Sequence, residues 1–315
     1  MKIGLMLPVG DPATTRSGQG WPPIRDLALA AEASGLDSVW SADHLIFRHR
    51  LMGRDEGIHE AWTTLTAVAA ITKRVEIGPL VLCVPFRNPG LTAKMATTFD
   101  EVSGGRLVLG LGCGWHRPEF DAFGYEFDHR VSQFAEALEI IRPLLQGRTV
   151  TFHGKWQHAD RARILPPGPR PDGPRILIAG KGPRMLDLVA RNADAWNAAW
   201  YGQPERADEL RERIGRLHAA LDAAGRPRDS IEMTAGIFVA TAPGRDDRPR
   251  EAISGSIDEI AHSLADYAAL GISHLIVNLW PRTPAAVTQL GEAAAQARSL
   301  LADAAWSAPT TVSSR

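Results

Sequence analysis

Eight short apolar runs recur along the 315-residue chain, each followed by a stretch with helical periodicity. The runs are Ile3 to Pro8, Ser38 to Ala42, Val75 to Leu82, Arg106 to Gly112, Arg175 to Gly180, Ala195 to Trp200, Ile231 to Ala240 and His274 to Leu279. Most lack the apolar–polar alternation of a half-buried strand, as parallel strands covered on both faces do. Helices are predicted near Pro22–Ser34, Glu60–Thr72, Leu91–Val102, Val131–Gln146, Pro183–Asn192, Pro204–Ala224, Ile257–Leu270 and Pro284–Ala302. Several open with proline in the first turn and close at glycine, as at Ser34-Gly35 and Leu270-Gly271. Eight strand–helix units in order predict an α/β fold of the (β/α)8, or TIM-barrel, type. A doubly wound sheet is the alternative. It needs fewer strands and usually an early glycine-rich turn, and Gly4 to Gly10 offers none.

Length alone suggests about two domains, but barrels often run to this size as one. Residues 1–305 read as a single barrel domain, with an insertion at about 115–174 and a flexible tail over 306–315. Within the insertion, TVTFHGKWQHAD reads as a small β-hairpin turning at Gly154-Lys155, and LPPGPRPDGP as a connector. The insertion is expected on the mouth of the barrel, where such loops commonly shape a site. The 35 basic and 36 acidic residues leave a net charge of -1 and no basic stripe, which argues against nucleic acid as a partner. No run of ~18 apolar residues exists, so no membrane span is expected. MKIGLMLPVGD turns polar too early for a signal peptide. The two cysteines, Cys83 and Cys113, form neither C-x-x-C nor a zinc pattern, so a reducing cytoplasm is the default location.

The chemistry-bearing residues gather where predicted strands end, at the end of a barrel where such folds carry their sites. The fourth run ends in Gly110 and Gly112, and Gly114 and Trp115 follow it. Glycines there let a flat ligand approach the backbone, or simply make room in the core. Asp43 and His44 follow the second run. His44 can exchange a proton near neutral pH and Asp43 can fix its tautomer, or the pair can cap a turn. A metal is not expected, because Met6-Leu7-Pro8 lacks the H-x-H of metal-dependent barrels. Pro79 marks a bulge or a distorted strand just before Leu80-Val81.

Ala179-Gly180-Lys181-Gly182-Pro183-Arg184 joins the fifth run to a helix. Amides at a helix start with two cations nearby suit a phosphate, and an ordinary tight turn is the alternative. His116, Glu119 and Arg130 read as local structural partners. Cys83 and Cys113 read as small buried residues. Trp196, Trp200 and Trp280 fall at or near strand ends and line a pocket or pack under the insertion.

With these residues in view, the chain resembles the luciferase-like superfamily of flavin- and deazaflavin-dependent oxidoreductases, from Lys2 to about Leu301. The landmarks are KIGLMLP, AEASGLDSVWSADHL, IGPLVLCVPFRNPGLTAKMATTFDEVSGGRLVLGLGCGW, PRILIAGKGPRMLDLVARNADAWN and GISHLIV. The resemblance implies a TIM barrel with an isoalloxazine-type ring across the strand ends. It implies a bulge in the third strand with a non-prolyl cis peptide at Leu80–Val81 backing that ring. The implied cofactor-binding set is Leu80, Val81, Gly112, Gly114, Trp115 and the segment Ala179, Gly180, Lys181, Gly182, Pro183 and Arg184.

Asp43-His44 matches the branch that uses coenzyme F420, with His44 as acid/base and Asp43 orienting it. The implied reaction is hydride transfer between the deazaflavin and an apolar or aromatic small-molecule substrate. An FMNH2-dependent monooxygenase is the alternative, and a non-catalytic flavin-binding relative the second. The chain departs from the sugar-phosphate dehydrogenases of that branch. Trp115 replaces a Glu, and Ala198 to Gly202 lacks their Lys, which argues against a sugar phosphate. A homodimer through barrel helices is implied, with Leu65, Val68, Ala69, Leu91 and Met95 as candidate faces if they are not core.

Overall fold

A computed structural model describes residues 1–8, 10–11, 20–48, 55–242 and 251–307. The barrel strands are β1 (Lys2–Met6), β2 (Ser38–Ser41), β3 (Glu76–Pro79, resumed at Leu82–Cys83) and β4 (Val108–Gly112). They continue with β5 (Arg175–Ala179), β6 (Ala195–Tyr201), β7 (Glu232–Ala240) and β8 (His274–Trp280). All pair in parallel. The order β3-β2-β1-β8-β7-β6-β5-β4 returns to β3, because Leu82 and Cys83 pair with Leu111 and Gly112 and Ile77 bridges Leu107. The sheet therefore closes as the eight-unit pattern predicts.

The helices are α1 (Trp21–Ala33), α2 (Ala61–Ile71), α3 (Pro89–Ser103), α4 (Arg117–Phe123), α5 (Arg130–Leu145), α6 (Pro183–Asn192), α7 (Asp208–Ala223), α8 (Ile257–Ala269) and α9 (Pro284–Ser307). Their starts follow local chemistry. Asn88 accepts from the N–H groups of Gly90 and Leu91 ahead of α3, and Ser256 with Glu259 forms a capping box on α8. No helix among the described residues is long and apolar enough to cross a membrane.

The barrel interior is plugged at its amino-terminal end. Trp40 is fully buried among Met6, Val108, Leu177 and Ile276. Its indole N–H donates to Ser38 Oγ at 2.7 Å, and Ser38 Oγ lies 2.8 Å from His274 Nε2. The ring fits because its neighbours lack side chains. A Cβ on Gly4 would lie 2.9 Å from the indole nitrogen, and one on Gly78 would lie 2.7 Å from the ring. Beneath it, Lys2 pairs with Glu76, and Arg175 pairs with Glu232. A closed floor leaves the carboxyl ends of the strands as the place for a cavity.

Several expectations change. Leu65, Val68 and Ala69 are core residues of the single chain, and Met95 packs against that core. Only Leu91 of the proposed dimer face stands exposed. α5 packs against α3 and α6, so within the 115–174 segment it serves as a barrel helix. The hairpin of Val150–His153 and His158–Ala162 packs against α5. Glu136 of α5 accepts from the N–H groups of Lys155, Trp156 and Gln157, which clamps the turn in place. A small sheet of Gly10–Asp11, Phe47–Arg48 and Asp55–Ile58 was not predicted. α9 runs through Ser307, two residues into the expected tail, and residues 308–315 lie outside the described residues.

Candidate active site

A cavity of about 660 Å³ opens at the carboxyl ends of β2 to β6. That is within the roughly 300–1,000 Å³ range of cofactor and substrate pockets. Each strand contributes its terminal residues: Ala42, Asp43 and His44 after β2, Leu80 and Val81 from the gap in β3, and Gly112 to Trp115 after β4. Ala179 to Gly182 follow β5, and Asn197 to Trp200 close the ring from β6. Among the described residues, no group of three or more His, Cys, Asp or Glu side chains is placed to hold a metal ion.

The gap in β3 shapes one wall. The Leu80–Val81 peptide is cis, as the resemblance implied. β4 approaches this bulge so closely that it has no room for side chains. A Cβ on Gly110 would lie 2.0 Å from the Pro79 carbonyl oxygen, and one on Gly112 would lie 2.6 Å from Val81 Cγ2. These two glycines admit the neighbouring strand. Gly112 and Gly114 also line the cavity, so a smooth backbone wall results from the same packing.

Asp43 and His44 part company. Asp43, 5% exposed, is engaged by the guanidinium of Arg87: Nη1 donates to Oδ2 at 2.6 Å and Nη2 to Oδ1 at 2.9 Å. The Cys83 N–H donates to the same Oδ2 at 2.8 Å, which ties Asp43 to the resumed part of β3. Burial opposes the Arg87 charge, but the Asp43 bonds and the nearby Glu60 outweigh it and raise the Arg87 pKa. Asp43 is therefore a structural anchor, not the group that orients His44.

Glu119 takes that place. It is 2% exposed, and both its oxygens lie 3.1 Å from His44 Nδ1. Its Oε1 also accepts from the N–H groups of Leu45 at 2.8 Å and Ile46 at 3.2 Å. A carboxylate offers only acceptors, so His44 Nδ1–H donates and Nε2 is left for a ligand. The reading of Glu119 as a merely local partner is corrected here. The available signal was Pro118, which marks the first turn of α4 and so puts Glu119 in that turn, beside the strand ends.

Aromatic rings surround this pair. His44 meets the Trp115 ring edge-on at 5.8 Å, and Phe47 stacks on His116 at 5.4 Å. Arg130, which also lines the cavity, donates to the Gly114 carbonyl at 3.1 Å and covers the Phe127 ring, which holds the glycine segment in place. Burial pushes the Cys113 thiol pKa up, partly opposed by Arg130. Burial, with Asp43 and Glu119 nearby, pushes that of Cys83 up as well. Both thiols are free and stay protonated at neutral pH.

At the start of α6 no side chain caps the helix, and Gly180, Lys181 and Gly182 line the cavity. Pro183 and Arg184 do not line it, and Arg184 donates to Ser132 Oγ on the surface. Of the three tryptophans, Trp196 is fully buried and donates to the Gly180 carbonyl. Trp200 lines the cavity, and Trp280 lies behind it through Phe238.

A family model described as luciferase-like monooxygenase matches residues 1–299. The chain belongs to this family. Among curated relatives, the 5,10-methylenetetrahydromethanopterin reductase of Archaeoglobus fulgidus is 32% identical over 69% of this chain and 59% of its own. The phthiodiolone/phenolphthiodiolone dimycocerosates ketoreductase of Mycobacterium tuberculosis is 31% identical over 71% of this chain and 62% of its own. The F420-dependent glucose-6-phosphate dehydrogenase of Amycolatopsis mediterranei is 37% identical over 61% and 57%. The matched region thus spans about three fifths of each of these luciferase-like relatives.

Solved structures share the fold. An F420-dependent secondary alcohol dehydrogenase, in complex with an F420-acetone adduct, aligns with a TM-score of 0.77 at 18% identity, covering 94% of this chain and 99% of that one. The monooxygenase RslO1 of Streptomyces bottropensis aligns with a TM-score of 0.76 at 24% identity, covering 93% and 98%.

Proposed function

We propose that this luciferase-like protein is a coenzyme F420-dependent oxidoreductase acting on an apolar or aromatic carbonyl compound or the corresponding alcohol. The observation that carries the proposal is the His44–Glu119 pair, set into a largely apolar cavity at the strand ends. The cavity fits a deazaflavin in size, in its smooth wall of Val81, Gly112 and Gly114, and in the uncapped α6 start with Lys181 for a phosphate. Bound there, the deazaflavin supplies or accepts a hydride.

The chain's own residues do the rest. The bulge at Leu80–Val81 and the β4 glycines position the ring. Trp115 and Trp200 shield the site from water. In the reducing direction His44 Nε2 would give its proton to the carbonyl oxygen of the substrate. Glu119 holds Nδ1–H and stabilises the charged imidazole before the proton leaves. In the oxidising direction Nε2 accepts the alcohol proton.

Relatives named as F420-dependent and as a ketoreductase support this reading. The test is anaerobic turnover with reduced F420 and a panel of ketones, followed by loss of the reduced cofactor. Turnover of wild type and not of His44→Ala supports the reading. A wild type that is inert with F420 but consumes O2 with FMNH2 replaces it with the monooxygenase reading, which the description of the matching family model favours. A homodimer is also proposed. Leu91 and Val102 lie eleven residues apart, on one face of α3, and Leu165 is also exposed. Light scattering giving twice the chain mass checks this. The two free thiols favour a reducing cytoplasm.

A further inference from the structure

The far wall of the cavity is built with an unusual amount of backbone control. β6 does not run straight to its end. Its register against β7 shifts between Asn197 and Trp200, and Ala199 adopts a left-handed φ of 83°. The left-handed region is sparsely populated by residues other than glycine and needs support from its surroundings. Asn197 gives that support: its Oδ1 accepts from the Ala199 N–H at 3.0 Å, and its Nδ2 donates to Thr234 Oγ1 at 2.8 Å.

The kink carries Trp200 across β7. Its indole lies over Gly236, where a Cβ would come within 2.6 Å of the ring. It stacks on Phe238 with a centroid distance of 5.4 Å and an interplanar angle of 21°. Phe238 in turn leans on Trp280 at 6.0 Å, and the Arg282 guanidinium covers the Trp280 ring at 5.3 Å. Trp200 is thus backed by aromatic rings from the next two strands, Phe238 of β7 and Trp280 of β8.

A tryptophan that only filled space would be buried, as Trp40 and Trp196 are. Trp200 keeps 36% of its surface exposed and lines the same cavity as His44. A rigid, backed, exposed indole is a stacking surface for a flat π-system.

We propose that Trp200 determines specificity by selecting an aromatic or conjugated carbonyl compound over a saturated one. The proposal deepens the functional reading above and rests on it for the site, but not for the identity of the cofactor.

The test compares acetophenone with cyclohexyl methyl ketone, two ketones of similar size that differ in the flat ring. Their dissociation constants are measured by titration calorimetry or ligand-observed NMR. The wild type is expected to prefer acetophenone by roughly 2- to 10-fold, the gain usual for an aromatic pair. Trp200→Phe keeps part of that preference and Trp200→Leu loses it. Gly236→Val loses it too, because its side chain occupies the place of the indole. F420 and FMN affinities are measured on the same samples. If FMN binds and F420 does not while the Trp–Phe–Leu ranking holds, the cofactor reading falls and this one stands. Equal binding of the two ketones by wild type, no binding of either, or a full preference in Trp200→Leu overturns the inference.

Discussion

Asp43 and His44 are neighbours in the chain but belong to separate networks, and each is testable. His44→Ala should lower turnover by roughly 100-fold or more while cofactor binding persists. Glu119→Gln should lower kcat and leave the cofactor Kd in place, because the amide fills the space without the charge that supports the imidazole; an unchanged kcat contradicts the assignment. Arg87→Met strands the buried Asp43 carboxylate, and about 3–5 kcal/mol of stability should be lost in urea unfolding. Adding Asp43→Asn should return part of it. The sequence reading paired His44 with the adjacent Asp43, whereas the structure sets His44 in the cavity lining with its Nδ1 against Glu119. Chain adjacency is a weak guide here. Asp43 reaches across to Arg87 on the loop after β3, and the His44 partner comes from a helix 75 residues later. Such pairings depend on tertiary packing, which periodicity does not encode.

At the scale of the element, the closest approach in the barrel lies between β4 and the β3 bulge. Gly110→Ala should destabilise the protein more than Gly112→Ala. The first puts a methyl against a backbone carbonyl at 2.0 Å, and the second against the end of the Val81 side chain at 2.6 Å. Melting temperatures of the two variants check the order; the reverse order contradicts the packing described. The glycines were visible in the sequence as a feature of the strand end, and the resemblance marked the bulge. Their use as clearance for a neighbouring strand was not visible, because it needs the register of β3 on β4. Strand and helix positions were legible from unbroken apolar runs, from Pro183 at a helix start and from Ser34-Gly35 and Leu270-Gly271 at helix ends. The strands of Gly10–Asp11 and Phe47–Arg48 were not, since two residues carry no alternation.

At the scale of the whole molecule, the barrel closes over a plug of Ser38, Trp40 and His274 that is not part of the cavity lining. Burial first, then the charges of Lys2 and Arg175, pushes the His274 pKa from 6.5 down to about 3. Glu232 stands 3.9 Å from its Nδ1 but is already paired with Arg175, so it does not restore the charge. The folded protein keeps His274 neutral while the unfolded chain takes a proton as pH falls through 6.5. Stability should therefore fall between 6.5 and about 3, by up to about 1.4 kcal/mol per pH unit. His274→Gln keeps a polar group toward Ser38 without the titration, and its stability should decline less steeply between about pH 6.5 and 5. Equal slopes contradict this. The eightfold strand–helix rhythm made the barrel legible, but the path of the hairpin was not. A long segment after β4 suggested a cover for the mouth, and Glu136 fastens the hairpin turn to α5.

The central claim is that a planar deazaflavin occupies the open end of the barrel, against Val81 and Gly112 and within reach of His44. Titration of the apo-protein with F420 and with FMN, followed by ligand fluorescence, tests it most directly. The account predicts saturable binding of one F420 per chain and much weaker binding of FMN. Tight FMN binding without F420 binding, or no binding of either, contradicts it.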